Sequence, residues 1–178
     1  MVRIENMKRE DLYKIVKWNN NKSEGDLLKW AGPKYKFPLT LSQLELYFHD
    51  MVKSEKYNVF LFKIILEESN EVIGTIELRE IENKDNQGWI SGFLIGEEKY
   101  RNRGFGKIVL QEVLEFAFKE LNFEKVGLAV FDFNINAIKC YENIGFNKIK
   151  FRKNSRKYKD DYWSLYEMEI LKEEWINK

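Results

Sequence analysis

The hydrophobic pattern divides the chain into helical and extended stretches. Residues 2–5 fit a short strand. Over 11–19, Leu12, Ile15, Val16 and Trp18 recur at helical spacing, and Asn19, Asn20 and Asn21 break the run. Residues 22–39 read as irregular, with at most a helical turn over 26–30. Thr40 and Gln43 have the spacing of a capping box, in which a hydroxyl and an amide satisfy reciprocal backbone N–H groups. A second helix follows, with Leu41, Leu44, Tyr47 or Phe48, and Met51 at helical spacing.

From 57 to 66 nearly every residue is apolar and β-favouring, as in a strand covered on both faces. A turn at 67–70 leads to an alternating strand over 71–81, with Val72, Ile76 and Leu78 on one face and Ile73, Thr75, Glu77 and Arg79 on the other. A turn at 83–88 and a strand at 89–96 complete an antiparallel meander. The period then becomes helical over 106–121, extended over 125–131 and helical over 136–144, where Gly145 suits a left-handed helix end. Residues from Phe146 onward and 162–171 form a final hairpin around a long basic turn, 148–159. A meander followed by alternating strands and helices predicts an α/β (α+β) fold: a mixed, mostly antiparallel central sheet of about seven strands with helices on both faces.

Composition narrows the classes. The 178 residues suit a single domain, 1–178, and 44% hydrophobic content is enough for a core. Thirty Lys and Arg against 29 Asp and Glu give a net charge of +1, which supplies no global reason to bind nucleic acid. One Cys and one His exclude an internal disulfide and a Cys/His zinc site, and no metal is expected. The charged N-terminus lacks the apolar core of a signal peptide, and no run approaches a membrane span, so a cytoplasmic location is expected.

The most informative stretch is Tyr100-Arg101-Asn102-Arg103-Gly104-Phe105-Gly106-Lys107, between a predicted strand and a predicted helix. Backbone N–H groups opening a helix lack internal partners and, with the helix dipole, attract anions. Gly104 and Gly106 would let a pyrophosphate approach the backbone, while Arg101, Arg103 and Lys107 add positive charge. A P-loop would need a hydroxyl residue after Lys107, where Ile108 stands, and a dinucleotide fingerprint would need glycine where Val109 stands. Arg-x-x-Gly-x-Gly fits without a gap. A basic strand-to-helix turn without a ligand remains the alternative on these residues alone.

A second motif lies downstream: Asn134, Ala137, Tyr141, Gly145 and Phe146 in the pattern Asn-x-x-Ala-x-x-x-Tyr-x-x-x-Gly-Phe. Both motifs at this spacing resemble the GNAT superfamily of acetyl-CoA-dependent N-acetyltransferases, most clearly over 72–146. The segment 95–106 is similar to the branch containing ribosomal-protein and spermidine N-acetyltransferases. The resemblance implies that backbone N–H groups over Arg101, Asn102, Arg103, Gly104, Phe105, Gly106 and Lys107 hold the coenzyme A pyrophosphate. Phe93, Leu94 and Ile95 would splay from the 125–131 strand to admit the pantetheine arm, with a backbone N–H near Leu94 or Ile95 polarising the thioester carbonyl. Asn134 would bind the coenzyme near its pantetheine, and Tyr141 would protonate the departing thiolate. The implied acceptors are a small amine or polyamine, a peptide N-terminus or an aminoglycoside, and a homodimer is an open alternative to a monomer. Two departures stand out: many members carry proline where Glu98 or Lys99 stands, and residues 89–95 hold no carboxylate to act as general base.

Other residues are weighed against simpler roles. By periodicity Tyr141 is a core tyrosine, and the resemblance reverses that. Glu77 is the candidate base acting through water, against a cross-strand ion pair; Glu80 points to the other face. Cys140 reads as a small buried hydrophobe and His49 as solvated. Trp30, Tyr35 and Phe37, with Glu24 and Asp26 adding negative charge, form either an acceptor wall or a loop pinned to the core. A CoA-binding sensor or partner-binding module without turnover is the alternative to an enzyme; nucleic-acid binding would rest only on the basic turn.

Overall fold

The computed structural model describes residues 1–53, 58–82, 84 and 86–177. Tyr57, expected to open the second strand, and Asn83 and Asp85 of the expected turn lie outside the described residues. Seven strands form one sheet: β1 (Val2–Asn6), β2 (Val59–Leu66), β3 (Glu71–Glu80), β4 (Gln87–Ile95), β5 (Lys125–Phe131), β6 (Asn147–Tyr158) and β7 (Asp161–Leu171), in the order β1-β2-β3-β4-β5-β7-β6. Among the described residues only β4 and β5 run parallel. The helices are α1 (Leu12–Asn19), α2 (Glu24–Ala31), α3 (Leu41–Tyr47), α4 (Phe105–Glu115), α5 (Ile135–Ile144) and a short α6 (Lys172–Ile176). The expected mixed sheet of seven strands with helices on both faces is what the chain forms.

The sheet separates two apolar cores. On one face Val109, Leu110, Val113 and Leu114 of α4 and Ile138 and Ile144 of α5 pack on Ile64, Ile76, Leu78, Val126 and Met168. On the other, Leu12, Ile15 and Trp18 of α1, Leu27 of α2 and Leu44 of α3 pack on Leu61, with Val72 and Leu94 alongside. Strand β3 differs from simple alternation. A register shift opposite Ile64 and Ile65 moves Ile73 onto the α4 side with Ile76 and Leu78, and leaves Val72 on the α1 side. The extra residue of such a bulge reverses side-chain parity beyond it.

Three local expectations are corrected. The 22–39 stretch holds a full helix, α2, because Ser23 Oγ accepts from Asp26 N at 3.1 Å while Asp26 Oδ2 accepts from Ser23 N at 3.1 Å and Ser23 Oγ at 2.7 Å. At α3 only half of the expected box forms. Thr40 accepts from Gln43 N at 3.4 Å, but the Gln43 amide pairs with backbone N–H and C=O groups of Lys36 and the C=O of Pro38, pinning the preceding loop. The basic stretch 148–159 is a paired edge strand as far as Tyr158 rather than a long turn, and of it only Lys159 belongs to the turn. Register shifts at Lys148/Lys150 and Arg152/Arg156 break its alternation and hide the strand from pattern reading.

Trp18 fixes α1 against the end of β4. A Cβ on Gly96 would stand 2.0 Å from the Trp18 ring, and Trp18 Nε1 donates to Glu97 Oε1 at 3.1 Å. Gly96→Ala is therefore expected to lower stability by about 1–3 kcal/mol, as overpacking does, measured by urea unfolding. The α2 cap gives a second test. The hydrogen bonds from the Ser23 hydroxyl and backbone hold the Asp26 carboxyl down to about 2 from its usual 3.8. A lowered carboxyl stabilises the fold above the unfolded value, and that contribution is lost as pH falls through about 2. In Ser23→Ala the carboxyl should titrate closer to 3.8 by carbon-detected NMR, with a stability loss of about 1 kcal/mol at neutral pH.

Candidate active site

Strands β4 and β5 pair only from Gln87↔Lys125 to Ile90↔Leu128. Beyond that the two strands diverge, and among the described residues no strand pairs with β4 over 91–95 on its β5 side. The β4 register against β3 also shifts between Thr75 and Glu77, and Gly92 takes a φ of +59°, a left-handed conformation that glycine adopts without strain. The result is a cleft of about 840 Å³.

Its walls carry most of the expected coenzyme residues. Phe93, Leu94 and Ile95 line one side, Leu128, Ala129 and Val130 the other, and Arg101, Asn102, Gly104, Phe105, Gly106 and Lys107 the end at the start of α4. Asn102 and Gly104 have φ of 59° and 81°, which turns the chain sharply into the helix. The Arg101 side chain folds back, its Nε donating to Ile95 O at 2.8 Å, and so joins the turn to the end of β4. Arg103 is not among the lining residues; its guanidinium lies 5.8 Å from the centre of the Tyr100 ring. The diverging strands admit an extended chain and the glycine turn admits an anion, so these residues fit coenzyme A.

Asn134 occupies the N-cap position of α5, but its side chain makes no capping bond and lines the cleft. Tyr141, two turns into α5, also lines it and packs edge-on against Phe146 at 5.9 Å. Burial pushes the Tyr141 phenol above its ordinary value, so it holds its proton at neutral pH. Cys140 is half-buried in the cleft wall, and burial likewise raises its thiol. Periodicity missed that exposure because Cys140 sits beside the helix's inward face.

The acceptor-side expectations separate. Trp30 lines the cleft, with Nε1 donating to Asn19 Oδ1 at 3.1 Å. Tyr35 turns inward against Tyr47, ring centres 5.8 Å apart. Phe37 and Glu24 lie away from the cleft: Phe37 is 48% exposed and borders a small separate hollow, and Glu24 is exposed on the first turn of α2. Asp26, named with Glu24 as a source of negative charge, does line the cleft, and so does Lys22, which the sequence did not mark. His49 is exposed, and Glu80 accepts from Asn58.

Glu77 is fully buried on the far side of the β4 bulge. Its Oε1 accepts from Ser91 Oγ at 2.8 Å, and its Oε2 from Tyr47 at 2.8 Å and Lys34 Nζ at 2.5 Å. Ser91 is a wall residue, whereas Glu77 itself is not. The ion pair is therefore with Lys34 of the loop after α2 and not across the strands. No feature of the sequence singled out Lys34, because loop position and partner are set only by tertiary packing. Burial lowers the Lys34 amine, opposed by Glu77, and raises the Tyr35 and Tyr47 phenols.

Among the described residues no helix is long and apolar enough to cross a membrane, and no three His, Cys, Asp or Glu side chains are grouped to hold a metal ion. The family described as "Acetyltransferase (GNAT) domain" matches residues 4–165. The chain is 30% identical over 112 residues to the SPbeta prophage-derived uncharacterized N-acetyltransferase YokL of Bacillus subtilis (strain 168), a match spanning 63% of this chain and 60% of that one. It is 31% identical over 65 residues to the spermine/spermidine N(1)-acetyltransferase of the same organism, covering 36% of this chain and 42% of the relative. Either match thus spans less than two thirds of the relative's length. In fold, the chain is similar to the spermidine N-acetyltransferase from Vibrio cholerae in complex with CoA and spermine, with a TM-score of 0.84 and 21% identity over 99% of this chain and 98% of that one. With the family match running across nearly all of its strands and helices, the chain belongs to the GNAT family of acetyltransferases.

Proposed function

We propose that the chain transfers an acetyl group from acetyl-CoA to a primary amine by direct attack within a ternary complex. The observation that carries this reading is the cleft between β4 and β5, which joins an anion-suited turn, an unpaired strand edge and a protonated phenol in one continuous wall. Acetyl-CoA supplies the activated acetyl group as a thioester. Backbone N–H groups at the start of α4, with Lys107, hold the pyrophosphate. The free β4 edge near Leu94 and Ile95 pairs with the pantetheine and polarises the thioester carbonyl. Asn134 bonds the pantetheine from the other strand's end, and Tyr141 gives its proton to the leaving sulfur.

The acceptor must lose a proton before or during attack, because a lysine-like amine titrates near 10.4. Glu77 already accepts three hydrogen bonds, one from Lys34, and serves as an electrostatic partner rather than as base. Water in the open cleft takes the acceptor's proton, helped by partial desolvation against Trp30. A small amine or polyamine and a peptide N-terminus are the acceptor classes this site can serve. The V. cholerae neighbour named for spermidine and the B. subtilis relative named for spermine and spermidine support the first class.

Acetyl-CoA-dependent thiol release against a panel of primary amines and peptides tests the reading. Release should require an acceptor, and Tyr141→Phe should lower kcat by about 100-fold, the loss typical of a missing general acid, with little change in KM for acetyl-CoA. A panel without any acceptor-dependent release overturns it. The buried phenol also predicts a pH profile. Because its pKa is raised above 10, the acid form persists, and kcat should not fall between pH 8 and 10 through loss of the Tyr141 proton.

A further inference from the structure

One group of buried side chains beside the cleft has no part in the chemistry above. Lys34 closes the short turn Gly32–Lys34 after α2 and enters the protein, with its side chain only 14% exposed. Its amine meets the fully buried Glu77 at 2.5 Å. It also lies over the Tyr47 ring, 4.5 Å from the centre, and 6.0 Å from that of Tyr35. A buried carboxylate flanked by aromatic faces is a binding box for an ammonium group. Here the cation in the box belongs to the chain itself.

The position of the box gives it meaning. Ser91 bonds Glu77 and lines the cleft, and a Cβ on Gly92 would lie 3.9 Å from Lys34 Nζ. Gly92 is the bulged residue at which β4 has just left β5. The box therefore adjoins the reaction centre across one strand. Whichever partner holds the shared proton, the pair is net neutral, so Glu77 offers no free negative charge to an incoming cation.

We propose that Lys34 is a specificity-determining residue: it fills the ammonium site at Glu77, so the acceptor is a monoamine and the second ammonium of a diamine or polyamine is kept out. The proposal rests on the acetyltransferase reading and narrows it against the polyamine class. A di- or polyamine could use Glu77 only by displacing Lys34, which exchanges one ammonium for another and strands the lysine in a buried setting.

Two measurements test it. The native protein should acetylate simple monoamines such as n-butylamine or benzylamine with kcat/KM at least tenfold above putrescine and spermidine, and Lys34→Ala should shift that ratio at least tenfold toward the polyamines. Independently of turnover, millimolar n-butylamine should raise the melting temperature of Lys34→Ala by several degrees, and should not raise that of the native protein or of Lys34→Ala/Glu77→Gln. Lys34→Gln provides the same comparison of ratios if the alanine variant does not fold. Polyamines used as well as monoamines by the native protein, an unchanged ratio in the variants, or no amine-dependent stabilisation of a folded Lys34→Ala would each overturn the proposal. Failure of every amine to be acetylated, with n-butylamine still stabilising Lys34→Ala, would overturn the enzymatic reading while leaving the ammonium box in place.

Discussion

The pairing of β4 with β5 ends after four residues on each strand, and the rest of the site depends on that ending. A sheet that lets two neighbours part forgoes backbone hydrogen bonds in its interior, which is tolerable only where water or a ligand can replace them. Both strands keep their other neighbour, β3 for β4 and β7 for β5, so the opening does not unravel the sheet. Each strand then delivers its own component. β4 runs into the turn that starts α4, and β5 runs into Asn134 and the helix carrying Tyr141.

The β4 bulge serves two faces at once. On one face it shapes the cleft wall at Ser91 and Gly92; on the other it leaves room for Glu77 and Lys34. Burying an ion pair is costly unless its remaining hydrogen-bonding capacity is used. Ser91 and Tyr47 meet that condition for Glu77. A comparable pair, Asp11 with Lys63 at 2.9 Å, ties the start of α1 to β2, and Lys8 N adds a further bond to Asp11. Fixed charges thus join the helices of the α1 face to the sheet at two points.

The parts of the fold visible in the sequence are those set by local chemistry. The period of Val109, Leu110, Val113 and Leu114 gave α4, and the β-favouring runs gave β2 and β5, because burial on both faces leaves little polar interruption. The glycine turn and the Asn134–Tyr141 spacing were legible because the backbone geometry demands those residue types at those positions. Features that depend on distant partners were not legible. Gln43 abandons its helix to pin a loop, Ile73 changes face at a bulge, and the cations of β6 lie in a paired strand because aromatic β7 lies beside it. The same limit hid the cleft-side Lys22 and the Lys34 that reaches Glu77, while Phe37, aromatic and flanked by proline, drew attention to a surface away from the cleft.

The two margins of the sheet are finished in different ways. At β1 the Glu112 carboxylate accepts from Ile4 N at 2.9 Å, so a backbone donor that another strand could have used is already occupied by α4. At β6 the margin is open to solvent and studded with Lys148, Lys150, Arg152, Lys153, Arg156 and Lys157, with two register shifts along its length. A second copy approaching that margin in strand fashion would bring like charge against like charge along a bent template. Crowding of this protein in solution should therefore end in repulsion at that margin rather than in growth of a shared sheet.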